Sequence, residues 1–542
     1  MIISGQYTDL FQRRTYPAEI DIRDGKIYAV KQVATAPDHY ILPGFTDAHI
    51  HIESSMLTPA AFGAMAVVHG TVATVSDPHE IANVCGAAGV QYMIENARHT
   101  PLKIFFGAPS CVPATEYETS GATLNADAVQ RLLESPDIWY LSEMMNYPGI
   151  LNSDPEVMKK IAAAVAIGKP IDGHAPGLKG AAAQQYAAAG ITTDHECVTL
   201  DEALDKIAAG MQILIREGSA AKNFDALHEL IRRHPDKVMF CCDDKHPDEL
   251  ALHHINHHVK KALRKGHNLY DVLRAACINP VMHYKLPVGL LRPGDAADFI
   301  IVNDLKELEV LETWINGKLV AEGGESLLPH QKATLINNFN TNEKRPEDFS
   351  ITADGATMIR VIEATDGQLI TKEIQAEAKV DSGRLISDTE RDILKMAVVN
   401  RYTPEAPVAV AFIKNIGLKS GAIASTVAHD CHNIVAVGAD DESLCAAVNA
   451  LIKCKGGISV AQTPTDVMTM PLPVAGLMSD KGGTEVAKAY TKADVAAKAL
   501  GTKLKAPFMT LSFMSLLVIP SLKLSDKGLF DGNNFAFTNL TI

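Results

Sequence analysis

Through the middle of the chain, short apolar runs alternate with longer amphipathic or alanine-rich stretches, the pattern of repeated β-α units. The apolar runs fall at 45–51, 72–77, 104–108, 138–143, 170–174, 191–195, 212–217 and 238–243. Stretches at 58–69, 155–167, 181–189 and 200–208 have helical character between them. Eight units are the number that closes a (β/α) barrel. An open doubly wound sheet is the rival, but no glycine-rich nucleotide fingerprint follows any run.

The pattern changes on either side. In residues 1–42, Ala18-Glu19-Ile20-Asp21-Ile22 alternates, Asp24-Gly25 signals a hairpin turn, and Lys26-Ile27-Tyr28-Ala29-Val30 resumes the strand. Residues 286–330 have the same character, in Ala297 to Val302 and again in Glu309 to Lys318. The expected architecture is α/β: a (β/α)8 TIM-like barrel over 43–285, inserted in a small composite β-sandwich domain of 1–42 and 286–330. A polar stretch near Asn337-Asn338-Phe339-Asn340 then leads into a C-terminal α+β domain over 331–542.

The chain has 542 residues, 47% hydrophobic and 21% charged, which suits a soluble globular protein of two or three domains. A formal net charge of −14 with no basic block argues against nucleic acid as a partner. The N-terminus lacks the pattern of a signal peptide, and the apolar run at 513–519 falls well short of a membrane span. Nine scattered cysteines without C-x-x-C suit buried thiols and a cytoplasmic location.

The ends of the apolar runs carry the chemistry. The first ends in His49 and His51, the fourth in Glu143, the fifth in His174, the sixth in Asp194-His195-Glu196 and the eighth in Asp243-Asp244. In a (β/α) barrel those ends open on one face, where active sites are built. Four histidines and two carboxylates are ligand types for a pair of divalent cations, with Glu143 suited to bridge them. Taken singly, each has a plain structural reading: His174 or Asp243 as a helix cap, Glu143 as the partner of an arginine.

Other polar residues on that face are candidate substrate contacts. Glu53, Ser54 and Ser55 leave the first run; His79 and Glu80 follow the second; Arg216, beside Glu217, closes the seventh. His429, Asp430 and His432 sit after an apolar run in the last domain and are expected to reach over the barrel mouth. The cluster His253-His254-Ile255-Asn256-His257-His258 reads as one face of an amphipathic helix rather than a metal tract.

This arrangement resembles the amidohydrolase superfamily of metallo-hydrolases. More narrowly, the chain is similar to bacterial adenine deaminases in Pro43 to Met56, Ser76 to Val84, Glu143 to Gly149, Asp172 to Gly177, Asp194-His195-Glu196, Cys242-Asp243-Asp244 and Val427 to Asn433. The similarity spans essentially the full length. It implies His49, His51 and Asp243 on one metal, His174 and His195 on the other, and Glu143 between them. The implied ions are Mn(II) or Fe(II), with Zn(II) also allowed by the ligand set. It further implies conversion of adenine and water to hypoxanthine and ammonia in purine salvage, and a homo-oligomer. Cation-bound water, its pKa lowered from about 15.7 to about 7, would supply the nucleophile. Asp243 would carry its proton to the leaving amine, and Glu196 would protonate the ring, by analogy with the non-ligand glutamate of other deaminases. Cyclic-amide hydrolysis and a non-catalytic scaffold are the rival functions.

Overall fold

The computed structural model describes all 542 residues. Eight parallel strand segments form the central barrel: β1 (Phe45–His51), β2 (Thr71–Ser76), β3 (Lys103–Ala108), β4 (Ile138–Met144), β5 (Ile171–Gly173), β6 (Thr193–Asp194), β7 (Gln212–Arg216) and β8 (Val238–Cys241, continued by Asp243–Asp244). β1 to β5 pair in order, as do β6 to β8. Asp243 and Asp244 pair with Ile50 and His51 on β1. The ladder is interrupted between β5 and β6, where the Thr192 amide donates to the Ile171 carbonyl at 2.8 Å and closes the ring.

β1 is buried at every position, which is why it reads as a continuous run instead of an alternation. Helices cover the outside. Leu200–Ala208 is capped by the Thr199 side chain, and Pro155–Ala166 by Asp154, so both start where a short polar residue can accept the free amides. Ile255–Arg264 carries part of the histidine cluster. Its buried His258 bonds the Cys241 carbonyl on β8 at 2.8 Å, while His257 stacks on His253 with ring centroids 4.3 Å apart. The cluster therefore braces the barrel wall.

The two flanks of the barrel join in one eight-stranded sheet, with Phe299–Val302 antiparallel to Tyr40–Pro43. Its Asp24-Gly25 hairpin has both residues at positive φ (49° and 74°), the backbone twist a two-residue turn needs. A second eight-stranded sheet lies in the last 200 or so residues, centred on the wholly buried Ile393–Val399 and packed by helices Asp441–Cys454 and Gly483–Ala499. One continuous apolar core includes Phe45, Phe106 and Phe240 of the barrel together with Val437, Met509 and Phe513 of that last segment. The C-terminal part is thus packed onto the barrel, not merely tethered to it. No helix is long and apolar enough to cross a membrane.

Candidate metal centre

The strand ends bring His49, His51, Glu143, His174, His195 and Asp243 together at one end of the barrel, each at most 7% exposed. Glu143 lies at the middle of this group. Its Oε2 is 2.7 Å from His174 Nδ1 and 3.2 Å from His195 Nε2, and its Oε1 is 3.2 Å from His51 Nε2. Asp243 Oδ1 is 3.1 Å from His51 Nε2 and 3.4 Å from His49 Nε2. Asp243 adopts a left-handed backbone conformation (φ 58°) where β8 is interrupted at Cys242.

Hydrogen-bond chemistry tests whether a cation fits here. His51 Nδ1 is 3.2 Å from the Asp77 carbonyl, which can only accept, so Nδ1 carries the hydrogen and Nε2 presents its lone pair. That lone pair faces Glu143 Oε1, Asp243 Oδ1 and His49 Nε2, the last also at 3.2 Å. Acceptors gathered this closely need positive charge among them. Ligands bound at roughly 2.0–2.2 Å to one ion sit ~3.0–3.6 Å from each other, the spacing found. His49 turns Nε2 toward Asp243 and His174 turns Nδ1 toward Glu143, so each presents one ring nitrogen to the shared carboxylates as a ligand would. The residues fit divalent cations.

The charges are strongly coupled. Burial and the nearby His79 would lower the His51 imidazole, yet the carboxylates of Asp243 and Glu143 push it well above its ordinary value, so they call for positive charge at Nε2, a proton where no cation takes its place. Burial would raise Glu143, but His174 and His195 hold it well below the usual carboxylate range. His49 is lowered by burial and by its neighbour His195.

A network behind the ligands fixes their loops. Asp194 accepts from the amides of Ala175 and Glu196 at 3.0 and 2.9 Å, so it ties the segment after His174 to the segment after His195. Lys206 Nζ, wholly buried, is 3.0 Å from Asp194, donates to the Ala175 carbonyl at 2.7 Å and meets Glu202 at 2.9 Å. Glu202 in turn accepts from the amides of Gly177 and Val198 at 2.8 and 3.3 Å. On the other side, Asp47 accepts from the amides of His49 and Cys242 at 3.3 and 3.1 Å, and its second oxygen lies 2.9 Å from His254 Nε2.

Family comparison agrees with this geometry. Residues 40–320 match the model of the amidohydrolase family, and residues 368–536 match the adenine deaminase C-terminal domain. The chain is 55% identical over 538 residues to an adenine deaminase of Salinibacter ruber, covering 99% of this chain and 98% of that one. It is 52% identical to adenine deaminases of Methanosarcina mazei, over 99% of this chain and 98% of the relative, and of Parabacteroides distasonis, over 100% and 99%. The chain belongs to the adenine deaminase family of amidohydrolases. The amidohydrolase family implies divalent metal ions, and the donor set fits them.

Within this adenine deaminase framework several of the expected residues take specific positions. Arg216 does not pair with Glu217, which instead meets Lys261 at 3.1 Å. Arg216 pairs with Glu196 and also with Asp243, Nη1 to Oδ2 at 2.5 Å. Burial would raise the Glu196 carboxyl, but Arg216, His174 and His195 bring it down to about 2. The Ser55 hydroxyl donates to the Ile52 carbonyl at 2.6 Å and turns the loop, while Ser54 donates to Asp244 at 2.5 Å. Glu53 Oε1 accepts from the Ile81 amide at 3.2 Å, and burial raises its carboxyl to about 7. His79 Nδ1 lies 3.0 Å from Asp77 and 3.5 Å from Glu143, and its Nε2 lies 3.5 Å from Asp430.

The C-terminal loop does reach the barrel mouth. His429 Nδ1 and His432 Nε2 both bond the Glu80 carboxylate. His432 Nδ1 accepts from the Ala428 amide at 3.1 Å, so its Nε2 carries the hydrogen and donates to Glu80. His432 is thereby committed to holding the two parts together. Asp77 and Asp244 lie within the quoted motifs but received no role of their own from sequence, whereas Glu118, in a patternless loop, was missed.

Proposed function

We propose that this protein hydrolyses adenine to hypoxanthine and ammonia at a pair of divalent cations, with His49, His51 and Asp243 holding one, His174 and His195 the other, and Glu143 between them. The observation that carries the reading is the His51 lone pair trapped among Glu143, Asp243 and His49 in a chain with full-length adenine deaminase relatives. When bound, the cations supply a water acidic enough to act as nucleophile near neutral pH. Asp243 would accept a proton of the attacking water and pass it to the departing nitrogen. Arg216 keeps Asp243 and Glu196 ionised and oriented. Glu80, His429 and His432 close the mouth, with exposures of 1–2%, and exclude bulk water.

The family resemblance favours Mn(II) or Fe(II); imidazole and carboxylate ligands without thiolate admit these and Zn(II) alike. Nine free cysteines suit a reducing, cytoplasmic setting for purine salvage. His79 stands between Glu143 and Asp430 of the covering loop and Ser54 bonds Asp244; with Glu53 and Asp430 they are the proposed purine contacts. A homo-oligomer is proposed on family resemblance. Incubating Mn-loaded protein with adenine and following loss of its absorbance band tests the reading. Adenine left intact while a cyclic amide is opened would overturn it.

A further inference from the structure

The reaction requires a proton at the ring nitrogen beside the reacting carbon; in the barrel Glu53, raised to about 7 and with Oε1 held by the Ile81 amide, is the rival donor to His429. Glu196 is ion-paired with Arg216. Both Glu80 oxygens are taken by imidazoles, and Asp244 Oδ1 is taken by Ser54. His429, supplied by the C-terminal domain, is differently placed. It is 2% exposed, its amide donates to the Ser512 carbonyl at 3.0 Å, and its ring stacks on Phe513 with centroids 4.5 Å apart and planes 6° apart. Nδ1 is engaged by Glu80, while Nε2 is buried without a hydrogen-bond partner, 3.7 Å from Asp244 Oδ1. Asp244 directly follows Asp243, so this free nitrogen opens beside the metal ligands. A carboxylate at Nδ1 leaves Nε2 to exchange a proton with whatever occupies the mouth.

We propose that His429 is a catalytic residue whose Nε2–H protonates purine N1 as water oxygen bonds to C6, with Glu80 positioning it and stabilising its cationic form. This rests on the adenine deaminase reading. The N1=C6 electron pair moves to N1 and takes the His429 proton. The water gives up one proton to solvent as it becomes the nucleophile; the remaining hydroxyl proton passes through Asp243 to N6, the C6–N6 bond breaks with its electrons leaving on ammonia, and C6=O forms. His429 regains its proton from solvent. No oxidant or further reactant enters. The charged groups facing the ring are Glu80, Asp244 and Asp430, with His432 and His246 the nearby imidazoles. The carboxylates outweigh burial and raise His429 to about 9, which keeps it protonated at neutral pH.

The test compares wild type, His429→Asn and Glu80→Gln, all Mn-loaded, by kcat and KM for adenine across pH 6–10, metal content and thermal midpoint. The expected result for His429→Asn is a kcat loss of about 10²-fold or more, with unchanged metal content and midpoint, loss of the alkaline limb of the profile, and partial rescue by added imidazole. Glu80→Gln should move that limb to lower pH. Activity of His429→Asn within threefold of wild type overturns the proposal. So does a kcat loss matched by loss of metal or of folding in His429→Asn together with an unmoved limb in Glu80→Gln. Wild-type protein that leaves adenine untouched would defeat the functional reading itself, a distinct outcome.

Discussion

Arg216 Nη1 lies 2.5 Å from Asp243 Oδ2, and the same guanidinium pairs with Glu196. Arg216 ends β7, Glu196 follows β6 and Asp243 continues β8, so one side chain spans three adjacent strand ends. All three are buried, and removing the cation leaves two carboxylates that burial alone would force to take up protons. Arg216→Met is therefore expected to lower kcat by at least about 10²-fold, through misplacement of Asp243, and to cost ~3–5 kcal/mol of stability. Denaturant unfolding and adenine turnover check both. A variant as stable and active as wild type would remove Arg216 from this role.

Asp243 has one oxygen on the ligand side and one on Arg216, an arrangement an amide cannot reproduce as a base. Asp243→Asn should fold and abolish turnover. Chelation should act differently: stripping the cations loses the binding contribution to folding, about 2.7 kcal/mol when free metal stood at 100 times its Kd. The thermal midpoint of wild type should fall on chelation and return on adding Mn(II). A midpoint indifferent to chelator would argue that no cation binds among these ligands.

Lys206 donates to Ala175 and meets Asp194 and Glu202, and those two carboxylates hold the amides around His174 and His195. The apolar variant Lys206→Met leaves Asp194 and Glu202 buried and unbalanced. The cation held by His174 and His195 should weaken by about 10–100-fold, as expected when a support behind ligands is lost, while the one on the His49 side is held. At limiting Mn(II) the variant should bind one equivalent where wild type binds two, and excess Mn(II) should restore the second. Equal loss of both would assign Lys206 to general stability.

Much of this was legible because parallel barrel strands, buried on both faces, appear as apolar runs, and their ligand residues follow at each end. β1 and β4 match the expected runs closely, whereas β6 shrinks from 191–195 to Thr193–Asp194 because the ladder breaks beside β5. The charge state of Glu196 was not legible. It depends on Arg216, twenty positions away on the neighbouring strand, and only barrel closure puts them in contact. The same holds for Glu80 and His429, separated by 349 positions and joined across two domains. Residue types give chemistry, but the partner that sets protonation comes from tertiary geometry.

Glu118 gives a pH-dependent prediction away from the metal ligands. It is 3% exposed, Oε1 accepts from the Thr115 hydroxyl at 3.2 Å, and Oε2 has no partner. Burial first, then the nearby charge of Asp430, raises its carboxyl from 4.5 to about 8. Below about pH 4.5 the folded and unfolded chains are both protonated here, and Glu118 adds no pH dependence. Between 4.5 and 8 the unfolded chain releases this proton while the folded one retains it, so stability falls as pH rises, with a slope of at most about 1.4 kcal/mol per pH unit. Above about 8 both are ionised and the loss levels off. Glu118→Gln keeps a group able to accept from Thr115 and removes the titration. Its stability relative to wild type should therefore rise steadily from pH 5 to pH 8 and then become constant. Unfolding free energies measured in urea at several pH values give that difference directly, and a constant difference across the range would show that Glu118 does not titrate as the geometry requires.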